Sequence, residues 1–192
     1  MSGIDNPILF DFPDQIESER LIIRAPRPGD GAAGNEAICE SIEELRPWMP
    51  WVHPTPTGEQ TEEVYRRGAA RWLAREELPM VLIRKQDGLF VGGSGLHRID
   101  WSVPKFEIGY WLRTSLTGQG YMTEAVIAIT RFAFETLGAM RMELRCDAGN
   151  VRSEAVAERA GYVLEARLHH DTRGVDGRLR DTLFFVQFPP ES

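Results

Sequence analysis

Residues 106–125 read FEIGYWLRTSLTGQGYMTEA, and this stretch decides the fold because a strand runs through a glycine-containing loop directly into a helix. Gly118 and Gly120 let backbone N–H groups approach a ligand closely. The helix that we expect to begin near Met122 adds unpaired N–H donors and the positive end of its dipole. The pattern therefore predicts an anion site, and a phosphate or pyrophosphate is the ligand that suits it.

The size and charge of the chain narrow its class. Its 192 residues, of which 42% are hydrophobic, are enough for one well-buried core. We expect an extended lead-in over residues 1–19, followed by a single domain over residues 20–190. The net charge of −7 argues against a nucleic-acid partner, because binding to a nucleic-acid backbone needs a cationic surface.

The sequence indicates neither a metal site nor a membrane segment. Cys39 and Cys146 are the only cysteines and lie far apart, so neither a disulfide framework nor a zinc site is predicted. The N-terminus lacks a cationic segment followed by an apolar run, and no stretch of about eighteen apolar residues occurs. We therefore expect a cytoplasmic protein with no metal and no membrane partner.

The periodicity of the apolar residues predicts a mixed α/β fold. A short strand at 21–24 precedes a helix from Asp30 to Glu40, and a further helix opens at Thr57 or Thr61. Three strands of hairpin character follow, and we expect them to be antiparallel neighbours. The later elements are strands at 80–85, 89–98, 105–113, 140–146, 162–170 and 179–188, and helices at 122–137 and 150–160.

The glycine loop, which we define as residues 117–123, resembles two other motifs but fits them poorly. A dinucleotide fingerprint opens the first βαβ unit of a parallel sheet, whereas this loop follows hairpin strands and has Thr123 in place of the last glycine. A Walker loop ends in a Lys-Ser or Lys-Thr pair, and no such pair follows this loop. A purely structural turn remains an alternative for the loop taken alone. The glycine-rich residues 92–95 are predicted to form a bulge within a strand.

Three stretches together resemble a known family over nearly the whole folded chain. They are EIGYWL at 107–112, TGQGYM at 117–122 and NVRS at 150–153. Their order resembles that of the GNAT superfamily of acetyl-CoA-dependent N-acetyltransferases. The loop pattern of that family is Gln/Arg-x-x-Gly-x-Gly/Ala, so the central Gly120 is kept, while the first and last positions depart from it.

Two further features are similar to the RimJ/RimL branch, which includes ribosomal-protein N-terminal acetyltransferases. They are the GQGYMTEA form of the loop and the segment LRPWMPW at 45–51. The resemblance implies one α/β domain with a mixed, mostly antiparallel sheet and helices on both faces. The sheet is expected to splay between two central strands, 105–113 and 140–146.

The resemblance also implies acetyl-CoA as the acetyl donor. Tyr110, Trp111 and Leu112 would meet the pantetheine arm and the acetyl group, and Asn150 would bind the pantetheine. A backbone N–H of the same strand would polarise the thioester carbonyl. The pyrophosphate would lie on the glycine loop, formed by Thr117, Gly118, Gln119, Gly120, Tyr121, Met122 and Thr123.

Glu107 is the candidate for removing a proton from the acceptor amine. Positioning a free amine against a thioester can lower the activation barrier by about 7–11 kcal/mol, so the reaction needs little covalent catalysis. An α-amine with a pKa of about 7.7–8.0 is mostly protonated at neutral pH and must first lose a proton. Strand alternation places Glu107, Gly109 and Trp111 on one face, with space beside the carboxylate. An ordinary solvent-facing glutamate is the alternative.

Ser153 is the candidate for assisting the leaving thiolate. Many family members have a tyrosine in the helix after the second splayed strand, where this chain has Ala157. Ser153 lies one helical turn after Asn150 and can donate a hydrogen bond to the sulfur. The alternative is a residue at the helix start that bonds to the local backbone.

Trp48 and Trp51 lie in a proline-stiffened segment where the family forms its acceptor groove, and core anchoring is the alternative role for both. We expect an enzyme that acetylates a primary amine, with the N-terminal α-amine of a protein or peptide as the favoured acceptor. A small-molecule amine acetyltransferase and a non-catalytic acyl-CoA-binding module are the alternatives. The sequence leaves the oligomeric state, monomer or homo-oligomer, open.

Overall fold

The computed structural model describes residue 4 and residues 6–190, which contain one eight-stranded sheet. The strands are β1 (Gln15–Glu17), β2 (Leu21–Arg24), β3 (Leu78–Arg84), β4 (Phe90–Asp100), β5 (Lys105–Leu112), β6 (Arg141–Asp147), β7 (Val163–Arg173) and β8 (Leu179–Gln187). Their spatial order is β1-β2-β3-β4-β5-β6-β8-β7. The helices are α1 (Asp30–Glu40), α2 (Ile42–Leu45), α3 (Gly58–Ala74), α4 (Tyr121–Glu135) and α5 (Val151–Arg159).

Neighbouring residues of β3 show that helices cover both faces of the sheet. Leu82 belongs to the main core, to which α4 and α5 contribute, whereas Val81 packs with Ala37 of α1. Tyr65 of α3 lies against this second cluster. Because successive side chains of a strand point to opposite faces, the two helix pairs lie on opposite sides of the sheet. The predicted α/β architecture is confirmed.

Among the described strands, β5 and β6 form the single parallel pair, and they separate along their length. Their Cα pairing ends at Ile108 opposite Leu144. Beyond that point β5 stays paired with β4, and β6 stays paired with β8. We call the gap between residues 109–112 and residues 145–147 the splay. It confirms the predicted divergence of the two central strands, whose parallel direction requires the α4 crossover.

The segment before Arg20 is more structured than the expected extended lead-in. β1 pairs antiparallel with β2, so the sheet begins before residue 20. Phe12 packs edge-on against Trp72 and Phe132, with ring centroids 5.9 Å and 6.0 Å apart. Burial of these aromatic side chains fixes the segment through contacts distant in sequence. Residues 1–3 and 5 of the expected lead-in lie outside the described residues.

The glycine run of β4 keeps a continuous register with β5, so the predicted bulge at residues 92–95 is wrong in position. The irregularity in the β3–β4 pairing falls between Leu82 and Ile83 instead, just ahead of the run. A Cβ on Gly93 would lie 2.5 Å from Nε1 of Trp111. The absence of a side chain at Gly93 therefore makes room for the Trp111 indole.

Candidate active site

The splay leaves one edge of β5 without a strand partner. Residues 109–112 pair with β4 on one side, while β6 has diverged on the other. Peptide groups on such an edge can pair with an amide-bearing ligand in the way that an added strand would. Tyr110, Trp111 and Leu112, which the sequence assigned to the ligand's arm, all lie along this edge.

The glycine loop presents backbone rather than side-chain groups. Gly118 and Gly120 have φ angles of +76° and +80°, a region that favours glycine. Gly120 is the N-cap of α4 and no side chain caps this helix. The side chains of Thr117 and Gln119 donate to carbonyl oxygens of the preceding turn, at 2.8 Å and 3.1 Å. Any anion at this site would therefore meet mainly backbone N–H donors.

The first turn of α4 supplies those donors. The first helical hydrogen bond runs from the Glu124 N–H to the Gly120 carbonyl at 3.0 Å, so the N–H groups of Tyr121, Met122 and Thr123 precede the helical ladder. Tyr121 and Met122 are buried, and their side chains fix the helix start on the main core. The predicted loop residues are thus brought together at one helix end.

Arg20 holds the glycine loop against the sheet. Its Nη1 donates to the Gln119 carbonyl at 2.9 Å, and its Nε lies 2.6 Å from Oε2 of Glu124. The guanidinium also lies over the Tyr121 ring, 4.2 Å from the centroid. Sequence reasoning missed this contact. Glu124 carried a signal, since an acidic residue in the first turn of a helix is favoured there.

Two other arginines lie beside the loop. Arg159 of α5 has its Nε 3.4 Å from the hydroxyl of Thr123, which adds a positive charge near the N-terminus of α4. Arg113, at the end of β5, is buried and pairs with Glu36 and Glu40 of α1, at 2.6 Å each. These pairs tie the segment that leads from β5 into the glycine loop to α1. Neither contact has a local signal in the sequence.

Glu107 lies on the face of β5 that points away from the main core. Its side chain is 16% exposed, and Oε2 lies 3.3 Å from Nη1 of Arg98 and 3.1 Å from Nε of Arg145. Oε1 makes no hydrogen bond to any other described residue. Gly109 follows on the same face, and a Cβ there would lie 3.3 Å from Cδ2 of His97, so the His97 ring packs against this position. The space that strand alternation predicted beside the carboxylate is therefore bordered closely by His97.

Ser153 lies on the opposite face of the sheet, in the first turn of α5. Its Oγ is 2.8 Å from the hydroxyl oxygen of Tyr110. Oδ1 of Asn150 accepts a hydrogen bond from the Ser153 N–H at 3.1 Å and so caps the helix. Burial raises the pKa of Tyr110 above its ordinary value. It also raises the pKa of the nearby Cys146 thiol to about 11, against the opposing effect of the Ser153 hydroxyl.

Trp48 and Trp51 contact the two sides of the splay. Trp51 is 46% exposed, and its ring centroid lies 6.2 Å from that of Trp111 on β5. Trp48 lies at the β6–α5 turn, where a Cβ on Gly149 would be 3.7 Å from its ring. The segment that carries both tryptophans therefore spans the opening between β5 and β6. Trp111 itself stacks on Phe90, so its side chain lies with this aromatic surface.

The described residues carry no group of three or more His, Cys, Asp or Glu side chains arranged to hold a metal ion. Within the same residues, every helix is too short or too polar to cross a membrane.

Comparison with protein families matches residues 20–163, more than half of the chain, to the acetyltransferase (GNAT) domain. YdaF of Bacillus subtilis (strain 168), provisionally named a ribosomal N-acetyltransferase, is 27% identical over 169 residues, which cover 88% of this chain and 91% of that protein. The ribosomal-protein-serine acetyltransferase of Escherichia coli (strain K12) is 29% identical over 133 residues, which cover 69% of this chain and 73% of that protein.

Solved structures of acetyltransferases share the fold. RimL, a ribosomal L7/L12 α-N-protein acetyltransferase in complex with coenzyme A, superposes with a TM-score of 0.84 at 20% identity, and the match covers 91% of this chain and 97% of the RimL chain. Mycobacterium smegmatis RimJ in complex with CoA-disulfide gives a TM-score of 0.81 at 24% identity, and the match covers 94% of this chain and 91% of the RimJ chain. At these identities the likeness establishes the fold alone.

Proposed function

This chain belongs to the GNAT family of acetyltransferases, and from that premise we propose that it transfers an acetyl group from acetyl-CoA to the N-terminal α-amine of a protein or peptide. The observation that carries the proposal is the adjacency of two sites. The splay offers an unpaired strand edge, and the glycine loop offers the N–H groups of a helix start immediately after the same strand.

The residues present fit the chemical parts of acetyl-CoA. The peptide groups of residues 109–112 suit the amides of the pantetheine arm, which can pair with a strand edge. The N–H groups at the start of α4 suit the pyrophosphate, and Arg159 adds positive charge beside Thr123. When bound, acetyl-CoA supplies an already activated thioester. The protein then has mainly to align the amine with it.

We propose that Glu107 accepts the proton that the attacking amine loses. The contacts of Glu107 with Arg98 and Arg145 are made by Oε2, so the amine would approach Oε1 on this face of β5. The proton transfer would be direct or through one water. Arg98 and Arg145 hold the carboxylate in position through Oε2, which leaves the other oxygen for the amine.

We propose that the hydroxyl of Ser153, which lies on the other face of the sheet, donates a hydrogen bond to the leaving sulfur. Glu107 and Ser153 would then act on the amine and on the departing thiolate from opposite faces of the sheet. Asn150 currently caps α5 through its side chain. A contact between that side chain and the pantetheine arm would therefore share or replace the bond to the Ser153 N–H.

The surroundings of the tryptophans favour a peptide over a polycation. Asp147 lies 3.2 Å from Arg180, and Glu44 lies 2.9 Å from Arg152, so these carboxylates are already paired. A polyamine or aminoglycoside would need a surplus of free carboxylates for capture. The relatives named as ribosomal-protein acetyltransferases point to the same acceptor class, which a cytoplasmic enzyme would meet.

A competition assay tests the proposal. The protein and acetyl-CoA are incubated with N-terminally free peptides, an aminoglycoside and spermine at equal concentrations, and the products are identified by mass spectrometry. We expect acetylated peptides to dominate. Dominant acetylation of the aminoglycoside or spermine would favour the small-molecule alternative. Binding of acetyl-CoA without transfer to any amine would favour a non-catalytic acyl-CoA-binding module.

A further inference from the structure

The hydroxyl groups of Tyr110 and Ser153 form a pair at the edge of the splay. Tyr110 projects from the unpaired edge of β5, and its hydroxyl oxygen lies 2.8 Å from Oγ of Ser153 and 3.2 Å from the Ser153 carbonyl oxygen. The two residues are 43 positions apart in sequence. The contact therefore joins the strand that borders the splay to the first turn of α5.

This pair lies near the helix in which the family resemblance implies a tyrosine that this chain lacks. The position expected to carry a tyrosine in α5 is Ala157, whose 0% exposure places it fully within the main core. A tyrosine hydroxyl nevertheless contacts the same helix, because Tyr110 projects toward α5 from β5. The signal in the sequence was the Gly-Tyr-Trp-Leu segment, which by itself indicated only a ligand contact.

We propose that Tyr110 is a positioning residue that donates its hydroxyl hydrogen to Oγ of Ser153 and thereby directs the single Ser153 hydrogen toward the departing sulfur of CoA. This inference rests on the proposed acetyl transfer and deepens it. Tyr110 acts through Ser153, whereas Ser153 would touch the sulfur itself.

The geometry allows two arrangements of the hydroxyl hydrogens without movement of a heavy atom. A phenol and a serine each have one hydrogen to donate. If Tyr110 donates to the Ser153 carbonyl, the Ser153 hydrogen can point back to the tyrosine oxygen. If Tyr110 donates to Oγ, the Ser153 hydrogen is free for the sulfur, and the hydrogen bond from the tyrosine strengthens Ser153 as a donor.

The reaction balances without proton transfer from this pair. The bond between the amine nitrogen and the acetyl carbon forms, the C–S bond breaks, and the electron pair stays on sulfur. The amine proton goes to Glu107. A thiol has a pKa of about 8.5 and a tyrosine one of about 10, and burial raises that of Tyr110 further, so the tyrosine keeps its proton. CoA therefore leaves as a hydrogen-bonded thiolate, and solvent protonates it later.

Single-turnover rates of acetyl transfer test the pairing in Tyr110→Phe, Ser153→Ala and the double variant. Ser153→Ala removes the hydrogen bond to the charged sulfur, and Tyr110→Phe removes the bond that directs it, so we expect each rate to fall about 10- to 100-fold while the KM for acetyl-CoA changes little. The double variant should be no slower than Ser153→Ala, because the two residues act as a unit. Multiplicative losses, or a Tyr110→Phe rate equal to that of the unmodified protein, would overturn the proposal.

Tyr162→Phe is the matched control. The Tyr162 hydroxyl lies 2.7 Å from that of Thr130, so this variant also loses a buried bond between two hydroxyl groups. Its rate should stay within about twofold of the unmodified protein, since the loss affects stability alone. A comparable fall in rate would show that Tyr110→Phe reports a general structural effect.

A second measurement does not depend on acetyl transfer. The pKa of the bound CoA thiol is followed by thiolate absorbance in a Cys146→Ala background, with the CoA-free protein as the blank. We expect that pKa to be about one unit lower with Tyr110 present than with Tyr110→Phe, a tenfold change in the ionisation constant. Equal values would refute the inference. A lowered pKa without transfer to any amine would instead refute the proposed function and leave the hydroxyl pair standing.

Discussion

Nε of Arg20 lies 2.6 Å from Oε2 of Glu124, and the same guanidinium donates to the Gln119 carbonyl at 2.9 Å. One ion pair thus joins the start of β2 to both the glycine loop and the first turn of α4. Because these residues are separated by about a hundred positions, the loop takes its shape from the folded sheet as well as from its own glycines.

Glu124→Gln should reduce the loss of stability on acidification. Burial alone would raise the pKa of Glu124, but hydrogen bonds from Ser18 and Arg20 outweigh it and leave the pKa lowered. A lowered folded-state pKa adds stability above the unfolded value of about 4.3, and this contribution disappears as the pH falls through the folded-state pKa. Urea midpoints at pH 7 and pH 4 should therefore converge more in Glu124→Gln than in Glu135→Gln. Equal acid sensitivity of both variants would contradict the role of this ion pair.

Gly120→Val should abolish stabilisation by acetyl-CoA. A β-branched residue is strained at a φ of +80° and obstructs the approach of a phosphate. At a hundredfold excess over its dissociation constant, acetyl-CoA should add about 2.7 kcal/mol to the unmodified protein, measured as a rise in Tm. Gly138→Val is the control, because Gly138 has a φ of +69° but lies beyond the other end of α4. A Tm rise as large in Gly120→Val as in Gly138→Val would count against the loop.

The sequence predicted those parts of the protein that local patterns determine. Apolar periodicity and glycine positions gave the strand, loop and helix around residues 106–125, and α1 occupies the range expected for it. Contacts between distant segments had no such signal. The arginines on Glu107, the packing of Phe12 and the hydroxyl pair of Tyr110 and Ser153 all depend on side chains that only the folded sheet brings together.

Glu107→Gln should lower turnover at neutral pH by about 10²- to 10⁴-fold, because it removes a proton acceptor while keeping the side-chain shape. The loss should exceed that of Ser153→Ala, since a thiolate leaves more readily than an amine loses its proton. Glu165→Gln is the control: it also breaks an ion pair, with Arg141, but lies away from the splay. Steady-state rates decide the matter, and a Glu107→Gln enzyme as active as Glu165→Gln would exclude Glu107 as the base.

Trp51→Ala should raise the KM for a peptide acceptor about tenfold, because exposed aromatic side chains often anchor a bound partner. The KM for acetyl-CoA should stay unchanged, and Trp51→Phe should retain most of the affinity for the peptide. Leu73→Ala, which truncates an exposed side chain of α3, serves as the surface control. Equal effects of Trp51→Ala on both substrates would indicate a structural role for this tryptophan.

A single peptide can show whether the protein acetylates an α-amine. The peptide carries a free N-terminus and one internal lysine, and fragmentation mass spectrometry locates the acetyl group after incubation with the protein and acetyl-CoA. An α-amine has a pKa more than two units below that of a lysine side chain, so it offers far more free amine at neutral pH. We expect acetylation at the N-terminus, at a rate that exceeds the rate without protein. Acetylation of the lysine alone, or of neither amine, would show that the protein does not acetylate α-amines.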